Sequence, residues 1–310
     1  MKNIILKYFV VSMLFAMGVI ATSCEKDVVL MPKPDFGDAP EGAVNGKFTV
    51  NGKGDQVYFS QGNLQYQAST KKWRFAVQQY HYLGDANSSI SSSYSGWIDL
   101  FGWGTSGWNS GANCYQPWST SDSYSDYYPG GSLTNNLTGN YANADWGVYN
   151  AISNGGNTSS TWRTLTKDEW VYVFDTRSTS SGIRYARACV NNVNGVILLP
   201  DDWNSSYYSL SSTNSWDADV SSNAISASHW VTLEQHGAVF LPAAGERCRT
   251  WVRYVGSEGK YWSASYYDWT TLAGGDMEAY AVFFDDSELF PDMVGSRSYG
   301  YSVRLVRSAQ

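Results

Sequence analysis

Large aromatic side chains set the terms on which this chain can fold. It carries 14 Trp, 23 Tyr and 12 Phe in 310 residues. Rings in that number cannot all stay solvated, so the sequence has to close a core and cannot remain disordered. Many of them lie in or beside stretches rich in Ser, Asn and Gly, at residues 86–95, 105–113, 119–136, 153–160 and 204–222. That texture breaks any long helical period and excludes a coiled coil. Loops of this length are either functional or packed around their own aromatics. Charged residues make up only 16% and the net charge is −7, against about 25% charged in ordinary soluble domains. An acidic chain lacks the basic footprint of a nucleic-acid binder, so nucleic acid is not an expected partner.

The first 24 residues read as an address. Lys2 and Lys7 form a basic start, an apolar run follows from Phe9 to Ala21, and Ala21, Thr22 and Ser23 lead into Cys24. The apolar run is too short to span a bilayer well. The ending resembles a bacterial lipoprotein signal, which implies residues 1–23 as signal peptide and Cys24 as the lipidated residue. Removing residues 1–23 takes away two lysines and no acid, leaving a net charge of −9. Such a surface is repelled by anionic lipid, so membrane attachment is expected through the lipid anchor only. Residues 24–43 hold Pro32, Pro34 and Pro40 and read as a flexible linker. The charged run Glu25-Lys26-Asp27 resembles the surface-export signals of Bacteroidetes lipoproteins, which implies an outer-membrane, surface-exposed location.

Residues 44–310 read as one domain, with no second linker and no repeat. Strand-like runs fall at 47–50, 56–60, 73–80, 196–199, 239–242, 280–284 and 302–306. One helix start is explicit. Thr166-x-x-Glu169 is a capping box, and Trp170, Val173 and Phe174 share the helical face behind it, with Arg177 at the C-terminal end. The expected class is α+β, with few helices, short and mostly antiparallel strands, and long loops.

Several motifs carry a resemblance. Trp162-Arg-Thr-Leu-Thr-Lys-Asp-Glu-Trp170 is similar to the helix start of formylglycine-generating-enzyme-like domains, which implies a C-type-lectin-like fold. Tyr261-Trp-Ser-Ala-Ser265 and Gly300-Tyr-Ser-Val-Arg-Leu-Val-Arg307 resemble Bacteroidales lipoproteins of the Fibrobacter succinogenes major paralogous type. That group includes the variable proteins of diversity-generating retroelements. Val57-Tyr-Phe-Ser-Gln-Gly-Asn-Leu-Gln-Tyr66, Gly96-Trp-Ile-Asp-Leu-Phe-Gly-Trp-Gly104 and Asn143-Ala-Asp-Trp-Gly147 extend the match over most of the body.

The enzyme branch of this superfamily binds copper through a cysteine pair near the C-terminus. Here no cysteine follows Cys248, and Cys114 and Cys189 complete the set after Cys24. An oxidase therefore loses its nucleophile and its metal ligands together. His81, His229 and His236 lack metal spacing, and no Gly-x-Ser-x-Gly elbow or phosphate loop occurs. Asp201-Asp202 and Asp285-Asp286 are adjacent pairs whose members point to opposite faces of a strand, so neither pair flanks a glycosidic bond. Catalysis is not expected. No cofactor is expected either, with a structural calcium left open.

The resemblance implies a ligand-display region at residues 265–299. Its expected contact residues are Tyr266, Tyr267, Asp268, Trp269, Ala281, Phe283, Asp285, Asp286, Phe290, Asp292, Ser296, Ser298 and Tyr299. In a strand over 280–284, Ala281, Phe283 and Asp285 would share one side and Val282 and Phe284 the other; the resemblance implies that the first side is displayed and the second faces the core. Tyr and Trp in such a region supply rigid contact area, and Ser, Asp and Gly adaptable polarity. Diversity-generating retroelements substitute adenines, mostly in asparagine codons. Most of these residues can be reached that way, whereas Trp269, Met277, Glu278, Glu288 and Met293 cannot. The expected partner is a protein or glycan at the cell surface. A second reading is a glycan-binding adhesin that uses the Trp-rich segment 97–118, where Trp97, Trp103, Trp108 and Trp118 could stack on sugar rings or instead pack the long loops.

Overall fold

The computed structural model describes residues 38–267 and 278–309. Residues 34–310 form one compact unit. In chain order the strands begin with β1 (Ala43–Thr49), β2 (Gln56–Ser60), β3 (Leu64–Gln67), β4 (Lys72–Phe75), β5 (Trp97–Ile98) and β6 (Arg163–Thr164). The middle of the chain supplies β7 (Tyr185–Val190), β8 (Val193–Leu198), β9 (Ala224–Ile225) and β10 (Val239–Pro242). The last third holds β11 (Glu246–Cys248), β12 (Trp251–Arg253), β13 (Gly259–Tyr266), β14 (Glu278–Phe284), β15 (Leu289–Ser296) and β16 (Leu305–Ser308). The helices are short: α1 (Trp146–Tyr149), α2 (Lys167–Val171) and α3 (Ala227–Gln235). The class is α+β, with few helices and many short, mostly antiparallel strands. Among the described strands only the β7–β9 pairing is parallel.

Four sheets and one hairpin result. Their strand orders are β1-β2-β16-β6, β10-β8-β7-β9, β4-β3-β5 and β13-β14-β15, with β11-β12 as the hairpin. The last strand pairs between β2 and β6, which ties the two ends of the body together. The body begins earlier than the composition suggests. Ala39 already packs on the core, and Ala43, placed in the linker by its sequence, is a buried residue of β1.

The helix start forms as its residues dictate. The Thr166 hydroxyl accepts from the Glu169 amide at 3.3 Å, and the Thr166 amide donates to the Glu169 carboxylate at 2.8 Å. The same carboxylate takes a two-pronged contact from Arg163, at 2.8 and 2.6 Å. Trp170, Val173 and Phe174 are fully buried. Arg177 does more than sit near a helix end. Its buried guanidinium pairs with Asp201 at 2.9 Å, and Asp201 also accepts from the Thr49 amide and hydroxyl.

The position of β13 and β14 overturns part of the expected display. Tyr261, Val282 and Phe284 point into one core with Phe59, Trp170 and Leu241. Trp262, Ala279 and Ala281 point into another with Phe101, Trp103 and Tyr301. The sheet is covered on both faces, so alternation does not separate core from surface. Ala281 is therefore core and not displayed, and Phe283 is buried beneath the Lys260 ammonium, 5.4 Å from its ring. Gly259 is required here, because a Cβ would lie 2.0 Å from the Phe284 ring.

Of the buried carboxyls, Glu234 and Asp99 are pushed well up by burial, and they make stability depend on pH. Burial pushes Glu234 from 4.5 up to about 7, although a hydrogen bond from Gln79 and the Arg304 charge oppose it. Burial likewise raises Asp99 to about 6, against hydrogen bonds from Asn87 and the Leu83 amide. A raised acid takes up a proton on folding. Its contribution is complete below the unfolded value and is lost as pH rises through the folded one. Stability should fall as pH rises from about 4 to about 7, and Glu234→Gln should flatten the upper part of that slope. Urea midpoints at intervals of one pH unit check this, and an unchanged slope in Glu234→Gln contradicts it.

Candidate functional site

The β11–β12 hairpin holds the most exposed large side chain among the described residues. Its register pairs Glu246 with Arg253, Arg247 with Val252 and Cys248 with Trp251 around an Arg249-Thr250 turn. The base is fixed firmly. Glu246 is buried and paired with both Arg253 and the Lys260 ammonium, the latter at 2.6 Å. Arg247 is buried and exchanges both backbone hydrogen bonds with Gly300, at 2.9 and 2.7 Å. Its guanidinium donates to the carbonyls of Arg249 at 2.6 Å and Ser119 at 3.2 Å, and burial lowers its pKa to about 10. Arg249 and Tyr254 bracket the outer strand at φ of 54° and 59°, in the left-handed region that bulky residues avoid. Trp251 is thus presented on a tightly anchored support with 75% of its surface open, and among the described residues no ring stacks on it.

Beside Trp251 lies an open pocket of about 620 Å³, inside the range of about 300–1,000 Å³ usual for small-ligand sites. One wall is the hairpin from Cys248 to Trp251; another is Asp122, just before the turn Tyr124–Tyr127, and Tyr124, its first residue. The third is Ser296, Ser298 and Tyr299, where the chain leaves β15. Asp122 and Arg249 are joined in an ion pair across the pocket. The Ser296 and Ser298 hydroxyls are 3.0 Å apart, and the Tyr299 amide donates to the Ser296 carbonyl at 2.9 Å.

No family model, curated protein or solved structure matches this chain.

The described residues of the expected display region do not form one face. Ser296, Ser298 and Tyr299 come together at the pocket, although Ser298 is buried and forms floor, not display. Phe290 and Asp292 are exposed on β15, but Phe290 lies six residues from Ser296, about 20 Å along an extended strand. Phe290 and Met293, at 41% and 40% exposed, stand on β15 away from the pocket lining. Asp285 is a turn former. Partial burial pushes its carboxyl up, but donors at Ser287 and Glu288, each at 2.8 Å, outweigh that and hold it below its usual range. Asp286 is exposed beside it. Tyr266 is half-buried, and its amide donates to Asn136 at 2.8 Å. Tyr267 meets Tyr280 edge to face at 5.1 Å. Asp268, Trp269 and Cys24 lie outside the described residues.

The Trp-rich segment is packing. Trp103 is fully buried, Trp108 and Trp118 rest half-buried against the core, and Trp97 lies under the Arg74 guanidinium at 3.7 Å. Gly102 permits this, since a Cβ there would sit 2.4 Å from the Tyr127 ring. Among the described residues no group of three or more His, Cys, Asp or Glu is placed to hold a metal ion, and Cys114, Cys189 and Cys248 are free thiols. No described helix is long and apolar enough to cross a membrane. Sequence reasoning missed Trp251, Arg249, Asp122 and Tyr124. A turn of Arg-Thr lacks the Asn-Gly or Asp-Gly that signals a hairpin. The usable signal was a lone Trp flanked by Arg249 and Arg253.

Proposed function

We propose that the chain is a non-catalytic, ligand-binding lipoprotein of the outer-membrane surface, lipidated at Cys24, with a C-type-lectin-like scaffold. The ligand docks at the pocket beside Trp251. One observation carries this reading: a Trp left 75% open on a strained, tightly anchored hairpin, next to a pocket that other aromatics line. Exposed aromatics on rigid supports are the side chains that dominate binding energy. The described lining holds no histidine, and its one carboxylate, Asp122, is tied to Arg249, which suits recognition better than proton transfer. The scaffold reading is supported by where the motif residues work. Trp162, Arg163 and Glu169 build the α2 start, and Tyr261, Trp262, Tyr301 and Val306 fill the two cores that enclose β14.

Cells carrying the full chain should adhere to a mucin-coated surface. Cys24→Ser should release the protein from the membrane fraction and end adhesion. Trp251→Ala should leave the protein in place at normal abundance and still end adhesion. Adhesion indifferent to Trp251→Ala, or membrane retention of Cys24→Ser, contradicts the reading.

A further inference from the structure

We infer that the pocket beside Trp251 takes a neutral carbohydrate, bound by stacking of a sugar ring on the Trp251 face without calcium. The inference rests on the docking reading above and names its ligand class. Three observations favour a sugar over a peptide or a charged group.

The first is the platform. Trp251 offers a broad flat ring, 75% open, with Tyr124 and Tyr299 on other walls of the same pocket. A pyranose presents an apolar face of C–H groups and a polar rim, which suits an aromatic plane surrounded by hydroxyls and planar polar groups. The second is the rest of the wall. Among the described residues the lining contains no aliphatic side chain. A peptide anchored by Leu, Ile or Val would find no apolar socket there. The third is charge. The only charged residues of the described lining are Asp122 and Arg249, and they neutralise each other. A charged ligand drawn to one member of this exposed pair would be repelled by the other, so the pocket offers it little net attraction. A neutral polyol can use the pair intact: Arg249 donates to a hydroxyl oxygen while Asp122 accepts from a neighbouring hydroxyl. Ser296 adds a group that can both donate and accept. No step in this recognition needs a metal, and the lining residues do not form a metal-ligand set.

The test uses purified protein from residue 25 onward on one array printed with neutral, sialylated and sulfated oligosaccharides and with peptides of mixed sequence, in buffer containing EDTA. The expected result is binding to neutral oligosaccharides that survives EDTA, weakens about 30-fold or more in Trp251→Ala, and is unchanged in Trp216→Ala. Trp216 is a fair control because it is also well exposed, at 55%, on the 204–222 loop. Unchanged thermal melting of Trp251→Ala shows that the loss is local. Binding confined to peptides or acidic sugars but still lost in Trp251→Ala overturns the carbohydrate assignment and leaves the docking pocket standing. Binding to neutral sugars that EDTA abolishes overturns the calcium-independent mode. Absence of any Trp251-dependent binding overturns both the assignment and the docking reading.

Discussion

Trp103→Ala should cost about 3–5 kcal/mol of folding free energy, the usual loss when a buried Trp is truncated in a close-packed core. The ring is fully enclosed, and its indole N–H donates to the Ser263 carbonyl at 2.9 Å. Its face lies 4.4 Å from the buried guanidinium of Arg297. That guanidinium also donates to the carbonyls of Leu133 at 2.5 Å and Glu278 at 3.2 Å. Burial already lowers the Arg297 pKa to about 10. Removing the ring takes away packing, a hydrogen bond and the aromatic face that offsets a desolvated charge. The loss should therefore fall at the upper end of the range. Urea unfolding of the two proteins measures it, and a loss below about 1 kcal/mol would mean that Trp103 is not core. The same result bears on ligand binding. Any loss of binding in Trp103→Ala would follow the loss of folded protein, because no ligand can reach a side chain sealed at that depth.

Local rules were legible in the chain and long-range ones were not. The Thr166–Glu169 capping box is complete within four residues, so its pattern predicts the helix start directly. The limits of β2 and β10 also agree with their apolar runs. The exposure of β14 could not be read in the same way. Period two says which residues share a face, but not whether the opposite face meets water or a second core. Ala281 and Phe283 were assigned to display on that ambiguity, and the packing of Trp262 and Tyr301 around Ala281 decides otherwise. Asp285 continues the alternation of Ala281 and Phe283, which together with the resemblance reads as display, whereas it closes the β14–β15 turn through the Ser287 and Glu288 amides.

The site was half visible. Ser296 and Tyr299 were marked by the texture of the C-terminal region, and they do line the pocket. Their partners come from far along the chain. Asp122 and Tyr124 arrive on a Ser-rich loop and at the start of the short turn Tyr124–Tyr127, and Trp251 on a hairpin whose turn uses Arg249 in a conformation usually left to Gly or Asn. No spacing rule links these segments. What joins them is the backbone pairing of Arg247 with Gly300 and the ion pair of Arg249 with Asp122.

Phe290 and Met293, on β15 but outside the described pocket lining, offer the natural comparison for the pocket, since both are exposed and both belong to the region expected to carry the ligand. Truncating a central Trp in a binding site commonly costs about 2 kcal/mol or more, or roughly 30-fold in affinity. Surface changes away from such a site cost little. The decisive measurement is the dissociation constant for the tightest array ligand in Trp251→Ala and in the double variant Phe290→Ser, Met293→Ser. The account predicts a weakening of about 30-fold or more for the first and less than about twofold for the second. A tight Trp251→Ala complex together with a lost Phe290→Ser, Met293→Ser complex would place the ligand at Phe290 and Met293 on β15 and contradict it.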